Sequence, residues 1–387
     1  MKTPTIIPIF FTFLSLIFII GCSQGTKVEQ ESAGFNLPVS NPASEGIKEE
    51  VLDSIHKDIE NGKYGLVDHF LVIRNGKMVF DQKYDQDYAT ISQKYDTTNH
   101  QFNYDHPAWH PFYNNTNLHS LQSVTKSINS ILMGIAIDEG LIDDVDSEII
   151  SSFSDYTLDI TDPGKSSITL KNLLTMRSGI EWDEEAYDGT DDCTQMELSD
   201  DWIQYVLDKP IDTIPGEAFE YNSGASVLIG KLISINTNMG VDEWAEEKLF
   251  APLGITDYYW KKTPLGETDT EGGLYLSSHD LAKIGLLMLN KGKWNGKQIV
   301  SQKWVEDSTV PLAKVDDQLG YGYQWWIPKH KNEKAEIFAG LGYGGQYLFV
   351  APNYDLIVVF NGWNIHDQAE KSCWSAFEDL ILPAMVD

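Results

Sequence analysis

Apolar residues recur along the chain with two different periods, and the switches between them outline the fold. Between Gly46 and Gly62, Val51, Leu52, Ile55 and Ile59 fall on one stripe at helical spacing, which predicts an amphipathic helix. His69 to Arg74 and Lys77 to Phe80 are apolar-rich runs separated only by Asn75-Gly76, a strong β-hairpin signal. From Ser127 to Ile137 almost every residue is apolar or small, so a helix opening at Ser123 and ending near Gly140 is predicted to be enclosed on all sides. Further helices are expected over Leu170 to Met176, through Val227, Leu228, Ile229 and Leu232, and over Leu281 to Leu289. The last third turns to strands, at Tyr323 to Ile327, Tyr347 to Val350 and Leu356 to Phe360. Residues 85 to 119 read as an irregular insertion rich in Tyr, Trp, His and Asn.

The enclosed helix opens with Ser123-Val124-Thr125-Lys126. Residues three apart share a helix face, roughly 5 to 6 Å apart at Cβ, so the amine of Lys126 can reach the Ser123 hydroxyl. A serine needs such a partner to take its proton as it attacks. For Lys126 to be that base at neutral pH, burial and nearby positive charge must lower its pKa. A plain helix N-cap is the alternative reading of Ser123. Ser54-Ile55-His56-Lys57 has the same spacing, but the neighbouring apolar stripe turns Ser54 and Lys57 towards water. Tyr221, just before an apolar helix, can pass protons at a cleft or serve as a packing aromatic. The run Gly340-Leu341-Gly342-Tyr343-Gly344-Gly345-Gln346 lets a backbone approach a ligand and present N–H groups, or makes a tight hairpin. A strand rather than a helix follows it, so it is no dinucleotide fingerprint.

Composition changes this picture in a few places. Hydrophobic residues make up 42% and aromatics 12% of 387 residues, enough for one large domain or two subdomains. The formal net charge of −30 argues against nucleic acid and against an anionic membrane face. His100, His106 and His110 match no familiar ligand spacing, and no metal is expected there. The acidic stretch with Asp183, Glu184, Glu185, Asp188, Asp191 and Asp192 lacks the calcium-loop pattern and reads as solvated.

Residues 1–21 carry Lys2 and a mostly apolar run from Ile6 to Ile20, the pattern of a signal peptide. Ile19-Ile20-Gly21-Cys22 resembles the bacterial lipoprotein processing site, which implies lipidation at Cys22 and a polar tether over 22–37. The expected location is therefore exported and membrane-anchored, facing the periplasm or the exterior. Export would also permit Cys193 and Cys373 to pair, and the sequence leaves them either bonded or separate.

Ser-x-x-Lys, a tyrosine motif about a hundred residues later and a Gly-rich turn before the penultimate strand form an ordered triple. Together they make the chain similar to the serine β-lactamase and penicillin-binding protein superfamily, in its class C-like branch. Leu173-Leu174-Thr175-Met176-Arg177-Ser178-Gly179, Gly272 to Ala282 and Tyr321-Gly322-Tyr323-Gln324-Trp325-Trp326 resemble its recurring blocks. The similarity covers about Pro38 to Pro383, within a serine hydrolase domain placed at 38–387. It implies an α+β fold, an antiparallel sheet from about 38–85 and 318–387 flanked by helices, with a mostly helical region inserted at about 120–265. The implied chemistry is acyl transfer without a cofactor: Ser123 attacks a carbonyl, Lys126 and Tyr221 manage the proton, and the N–H groups of Ser123 and Gly345 hold the oxyanion.

Two departures bear on the substrate. Tyr221-Asn222-Ser223 stands where the family usually has Tyr-x-Asn, and Gly342-Tyr343-Gly344 where it has Lys-Thr-Gly or His-x-Gly. A glycine offers no positive or polar group to a substrate carboxylate. The chain thus looks closer to the 6-aminohexanoate-oligomer hydrolase and esterase side, which implies a small amide or ester substrate. A β-lactamase, a D-alanyl-D-alanine carboxypeptidase and a non-catalytic cell-wall peptide sensor are the competing readings, and the oligomeric state is open. Ser223, Gly342, Tyr343 and Gly344 are the expected substrate contacts. Nearness to these motifs adds Trp182, Tyr187 and Trp326 as pocket residues.

Overall fold

Eight strands form one antiparallel sheet that joins the two ends of the folded chain. They are β1 (Val67–Arg74), β2 (Lys77–Lys83), β3 (Ala313–Lys314), β4 (Leu319–Tyr321), β5 (Trp326–Pro328), β6 (Phe338–Gly342), β7 (Gln346–Ala351) and β8 (Leu356–Gly362). Their order across the sheet is β2-β1-β8-β7-β6-β5-β4-β3. The computed structural model describes residues 37–91, 117–158, 162–184, 189–330, 336–364 and 369–386. The apolar leader, Cys22, Tyr187, His100, His106 and His110 lie outside them.

The central strands read as continuous apolar runs because both faces of the sheet are covered. Leu71, Ile73, Leu348, Val350, Ile357 and Val359 point into one core. Their alternates Phe70, Val72, Phe349, Ala351, Val358 and Phe360 point into another. The second core is closed by α1 (Glu49–Glu60), which contributes Leu52, Ile55 and Ile59, and by C-terminal turns that contribute Phe377 and Ile381. Phe70 stacks on Phe360 with centroids 4.5 Å apart, and Phe349 on Phe377 at 4.1 Å. Ser54 and Lys57 of α1 are exposed, as the stripe predicts.

The first core holds α2 (Val124–Asp138), α3 (Leu170–Leu174), α4 (Ser223–Thr237) and α5 (Ser278–Leu289). Every residue of α2 from Val124 to Ala136 is buried, which accounts for its lack of a polar face. Enclosing Ile128, Ile131, Leu132 and Ile135 contributes roughly 1.5–3 kcal/mol per side chain relative to exposure. α2 packs against α4 and against β6, where Gly340 lies close to Val124 and Ser127, and this places its first turn beside the sheet.

One predicted strand is broken. Of Tyr323 to Ile327 only Trp326 and Ile327 are in strand conformation, and the chain reverses at Gln324, whose φ is 62°. Gln324 is 1% exposed and serves as a polar hub: its carbonyl accepts from Ser127 Oγ at 2.7 Å and its Oε1 from Ser226 Oγ at 2.6 Å, while its N–H donates to Leu174 O at 2.9 Å. Those bonds tie α2, α3 and α4 together and override local strand preference. Cys193 and Cys373 are separate buried thiols, in the cores on opposite faces of the sheet.

Gly342 ends β6 directly against the turn that carries Ser123. A Cβ there would stand 2.4 Å from Leu121 O and 3.0 Å from Gln122 Cβ. Gly342→Ala is expected to destabilise the fold by about 1–3 kcal/mol, as overpacking does. Urea unfolding measures this, and an unchanged midpoint would contradict the close approach.

Candidate active site

A short strand, His119–Ser120, pairs with Leu274–Leu276, and Leu121 N–H extends the contact by donating to Leu274 O at 2.9 Å. Gln122 then takes a left-handed conformation, φ 48°, before the chain enters α2. Such a conformation is uncommon for a non-glycine residue, and here it sets the angle at which Ser123 leaves the turn. Ser123 occupies the N-cap position but makes no side-chain cap hydrogen bond. Its Oγ instead accepts from Lys126 Nζ at 2.9 Å, so the predicted pair is formed.

Lys126 is 1% exposed, and its ammonium also donates to the carbonyl of Glu271 at 2.8 Å and to Glu271 Oε2 at 3.2 Å. Burial opposes its charge, but the Tyr221 oxygen, Glu271 and Glu184 outweigh that and raise its pKa. The condition for Lys126 to act as the base, a pKa lowered by burial and nearby positive charge, is not met, because its neighbours are the Tyr221 oxygen and two carboxylates rather than cations. Glu271 sits in the turn Asp269-Thr270-Glu271-Gly272-Gly273, where Asp269 Oδ1 accepts from the N–H groups of Glu271 and Gly272 at 3.2 and 3.1 Å. The only sequence signal for it is one carboxylate next to the Gly272-Gly273 block.

Tyr221 faces the same pair. Lys126 Nζ lies 5.2 Å from its ring centroid, and its phenol shares a hydrogen-bond contact with Ser123. Burial raises the Tyr221 pKa, and Lys126 pulls it back down. The ring stacks on Trp326 with centroids 5.4 Å apart and meets the edge of Tyr321 at 6.4 Å. Asn222 caps α4, its Oδ1 accepting from Ala225 N–H at 2.8 Å, which holds Tyr221 just ahead of the helix.

Of the acidic stretch, Glu185 and Asp188 lie outside the described residues and Asp183 is exposed as expected, but Glu184, Asp191 and Asp192 are not the solvated side chains expected. Glu184 accepts from Trp182 Nε1 at 2.7 Å, from Ser223 N–H at 2.8 Å and from Ser223 Oγ at 2.6 Å. Burial raises its pKa, against the pull of Lys126 and the Ser223 hydroxyl. Asp192 turns inward as well, accepting from Tyr205 Oη at 2.7 Å and pairing with Lys209. Trp182 is 2% and Ser223 0% exposed, so both meet the centre through the Glu184 carboxylate. Three donors on one carboxylate outweigh its hydration, a balance that local acidity does not reveal.

The Gly-rich run forms the β6–β7 hairpin, with Gly342 opposite Gln346 and Tyr343 44% exposed at the tip. Gly344 and Gly345 have φ of 79° and 98°, values that glycine adopts without strain. Asn364 N–H holds Gly344 O at 2.8 Å. No described residue accepts a hydrogen bond from the N–H of Ser123 or of Gly345.

The family model for beta-lactamase matches residues 62–366. The 6-aminohexanoate-dimer hydrolase of Paenarthrobacter ureafaciens is 25% identical over 265 residues, 62% of this chain and 65% of that protein. The chain thus spans just under two thirds of that relative's length. Among solved structures, a family VIII carboxylesterase superposes with a TM-score of 0.63 at 15% identity, covering 90% of this chain and 98% of the other. An octameric penicillin-binding protein homologue from Pyrococcus abyssi gives 0.60 at 20% identity, covering 81% and 73%. These two likenesses show the fold.

Glu220 precedes Tyr221, and burial with Asp212, Asp183 and Asp192 nearby pushes its pKa from 4.5 up to about 7. A carboxyl whose folded pKa lies above its unfolded one favours the fold fully below about 4.5, and that contribution is lost as pH rises through about 7. The melting temperature is therefore expected to fall between pH 5 and pH 8 by less in Glu220→Gln than in wild type. Equal slopes in calorimetry would contradict this.

Proposed function

The chain belongs to the beta-lactamase family, and we propose that it is a serine hydrolase that cleaves a small amide or ester through an acyl-enzyme on Ser123. The observation that carries this reading is the 2.9 Å contact from Lys126 Nζ to Ser123 Oγ, with the Tyr221 phenol at the same hydroxyl. Tyr221 and Glu271 raise the Lys126 pKa and favour its ammonium, and the proposed reactive form pairs that ammonium with Tyr221 as phenolate. Tyr221 takes the Ser123 proton as Oγ attacks the carbonyl, and Lys126 stabilises the phenolate that precedes this transfer. The tetrahedral oxyanion is received by the N–H groups of Ser123 and Gly345, donors worth roughly 3–4 kcal/mol each in well-studied hydrolases. Tyr221 then returns the proton to the leaving amine or alkoxide. Water releases the acyl group by the same route in reverse.

The surroundings favour a neutral or positively charged acyl group. Gly342, Tyr343, Gly344 and Gly345 bring no cation to meet a substrate carboxylate, and Glu184 places a carboxyl group next to Tyr221 and Ser223. Trp326 and Tyr221 supply a flat aromatic wall suited to an alkyl chain. An amine-bearing amide, as in the name of the Paenarthrobacter relative, fits this combination. In this reading the chain is exported and tethered through lipidated Cys22. Among the described residues no helix is long and apolar enough to cross a membrane.

The test is turnover of p-nitrophenyl esters and short amides by wild type and Ser123→Ala, with fluorophosphonate and penicillin labelling read by mass spectrometry. Wild type is expected to turn over and to be labelled at Ser123, and Ser123→Ala to lose about 10⁴-fold or more in kcat/KM. Turnover retained by the mutant would overturn the proposal, and labelling of wild type without turnover would support the sensor reading.

A further inference from the structure

Three side chains outside the Ser123 site converge where α5 meets the edge of the sheet: His69 on β1, Asp81 on β2 and His279 in the first turn of α5. His69 Nε2 approaches Asp81 Oδ1 at 2.6 Å and His279 Nε2 approaches Asp81 Oδ2 at 2.8 Å, with the two rings 5.3 Å apart and nearly perpendicular. One ligand atom from each residue lies within 4.8 Å of the other two. We propose that His69, Asp81 and His279 form a binding site for a divalent transition-metal ion of the zinc type.

Two imidazole nitrogens and a carboxylate oxygen are a donor set that zinc accepts, with one position left for water. Tetrahedral bonds of about 2.0–2.1 Å set neighbouring donors roughly 3.3 Å apart. The two histidine–aspartate contacts need to open by less than about 1 Å to reach that spacing, a movement within side-chain reach. The ligands come from three separate elements, so an ion here clamps α5 to the β1–β2 hairpin. Exposure supports access: the His69 side chain is 6% exposed, His279 25% and Asp81 36%, so the carboxylate side faces solvent. The group formed by Cys193, Glu197 and Glu271 is similarly close, but it is enclosed and its Glu271 is engaged at Lys126.

In this proposal the ion ties α5 to the β1–β2 hairpin, and hydrogen bonds lead from α5 towards the active site. Ser278, next to His279, donates to Asn361 Oδ1 at 2.6 Å, and Asn361 Nδ2 donates to Gln346 Oε1 at 3.1 Å. Gln346 closes the turn that carries Gly344 and Gly345.

Full chain stripped with a chelator, then titrated with Zn²⁺ by calorimetry and with Co²⁺ by absorption, tests the site. Wild type is expected to bind one equivalent, and His279→Gln and Asp81→Asn, each checked for folding by circular dichroism, at least about 100-fold more weakly. Zn²⁺ is also expected to slow modification of His279 by diethylpyrocarbonate in wild type, a readout independent of the variants. Absence of stoichiometric binding, unchanged affinity in a folded variant, or unprotected His279 would each overturn the proposal.

Discussion

A buried ammonium has to be answered by a buried carboxylate, and the contact of Lys126 with Glu271 is the constraint on which this structure turns. Removing an unpartnered charge from water costs several kcal/mol even after relaxation, and losing one partner of a buried pair typically costs about 3–5 kcal/mol. Meeting that demand brings the turn at Asp269 to Gly273 against the first turn of α2, across 145 residues of sequence. The same approach joins Leu121 to Leu274 and fixes the strained residue Gln122, from which Ser123 projects. The position of Ser123 and the charge of its neighbour therefore have one physical origin.

Much of this was legible in the chain itself. Helical stripes mark α1 and α5, Asn75-Gly76 marks the hairpin, and the apolar surroundings of α2 distinguish Ser123 and Lys126 from Ser54 and Lys57. Such features depend on neighbours within a turn or two. What was not legible depends on partners far away. Gln324 breaks a strand-like run because its partners lie on three separate helices. Glu184 turns inward for Trp182 and Ser223, although its neighbours in sequence are acidic. The direction of the Lys126 shift follows first from Tyr221 and then from Glu271, and no local pattern connects Glu271 to α2.

The reversed shift alters how the site is understood. In the proposed mechanism Lys126 stays a cation, proton transfer passes to Tyr221, and the lysine serves as a fixed positive charge for the phenolate. Burial makes that phenolate scarce at neutral pH, and the Lys126 charge partly offsets the penalty. The proposed preference for an acyl group without a carboxylate rests on Glu184 beside Ser223 and on a Gly342 to Gly345 turn without a cation, while Trp326 lends an aromatic face. In the proposed function, substrate preference and proton management are thus two consequences of one arrangement of charge.

The most direct test of that arrangement is the nitrogen-15 chemical shift of the Lys126 side chain, followed from pH 6 to pH 9 in folded wild type and assigned with Lys126→Arg. An ammonium signal throughout, with titration moved to lower pH in Glu271→Gln, is the result this account predicts. A neutral amine formed below pH 8 in wild type would contradict it and return the role of base to Lys126.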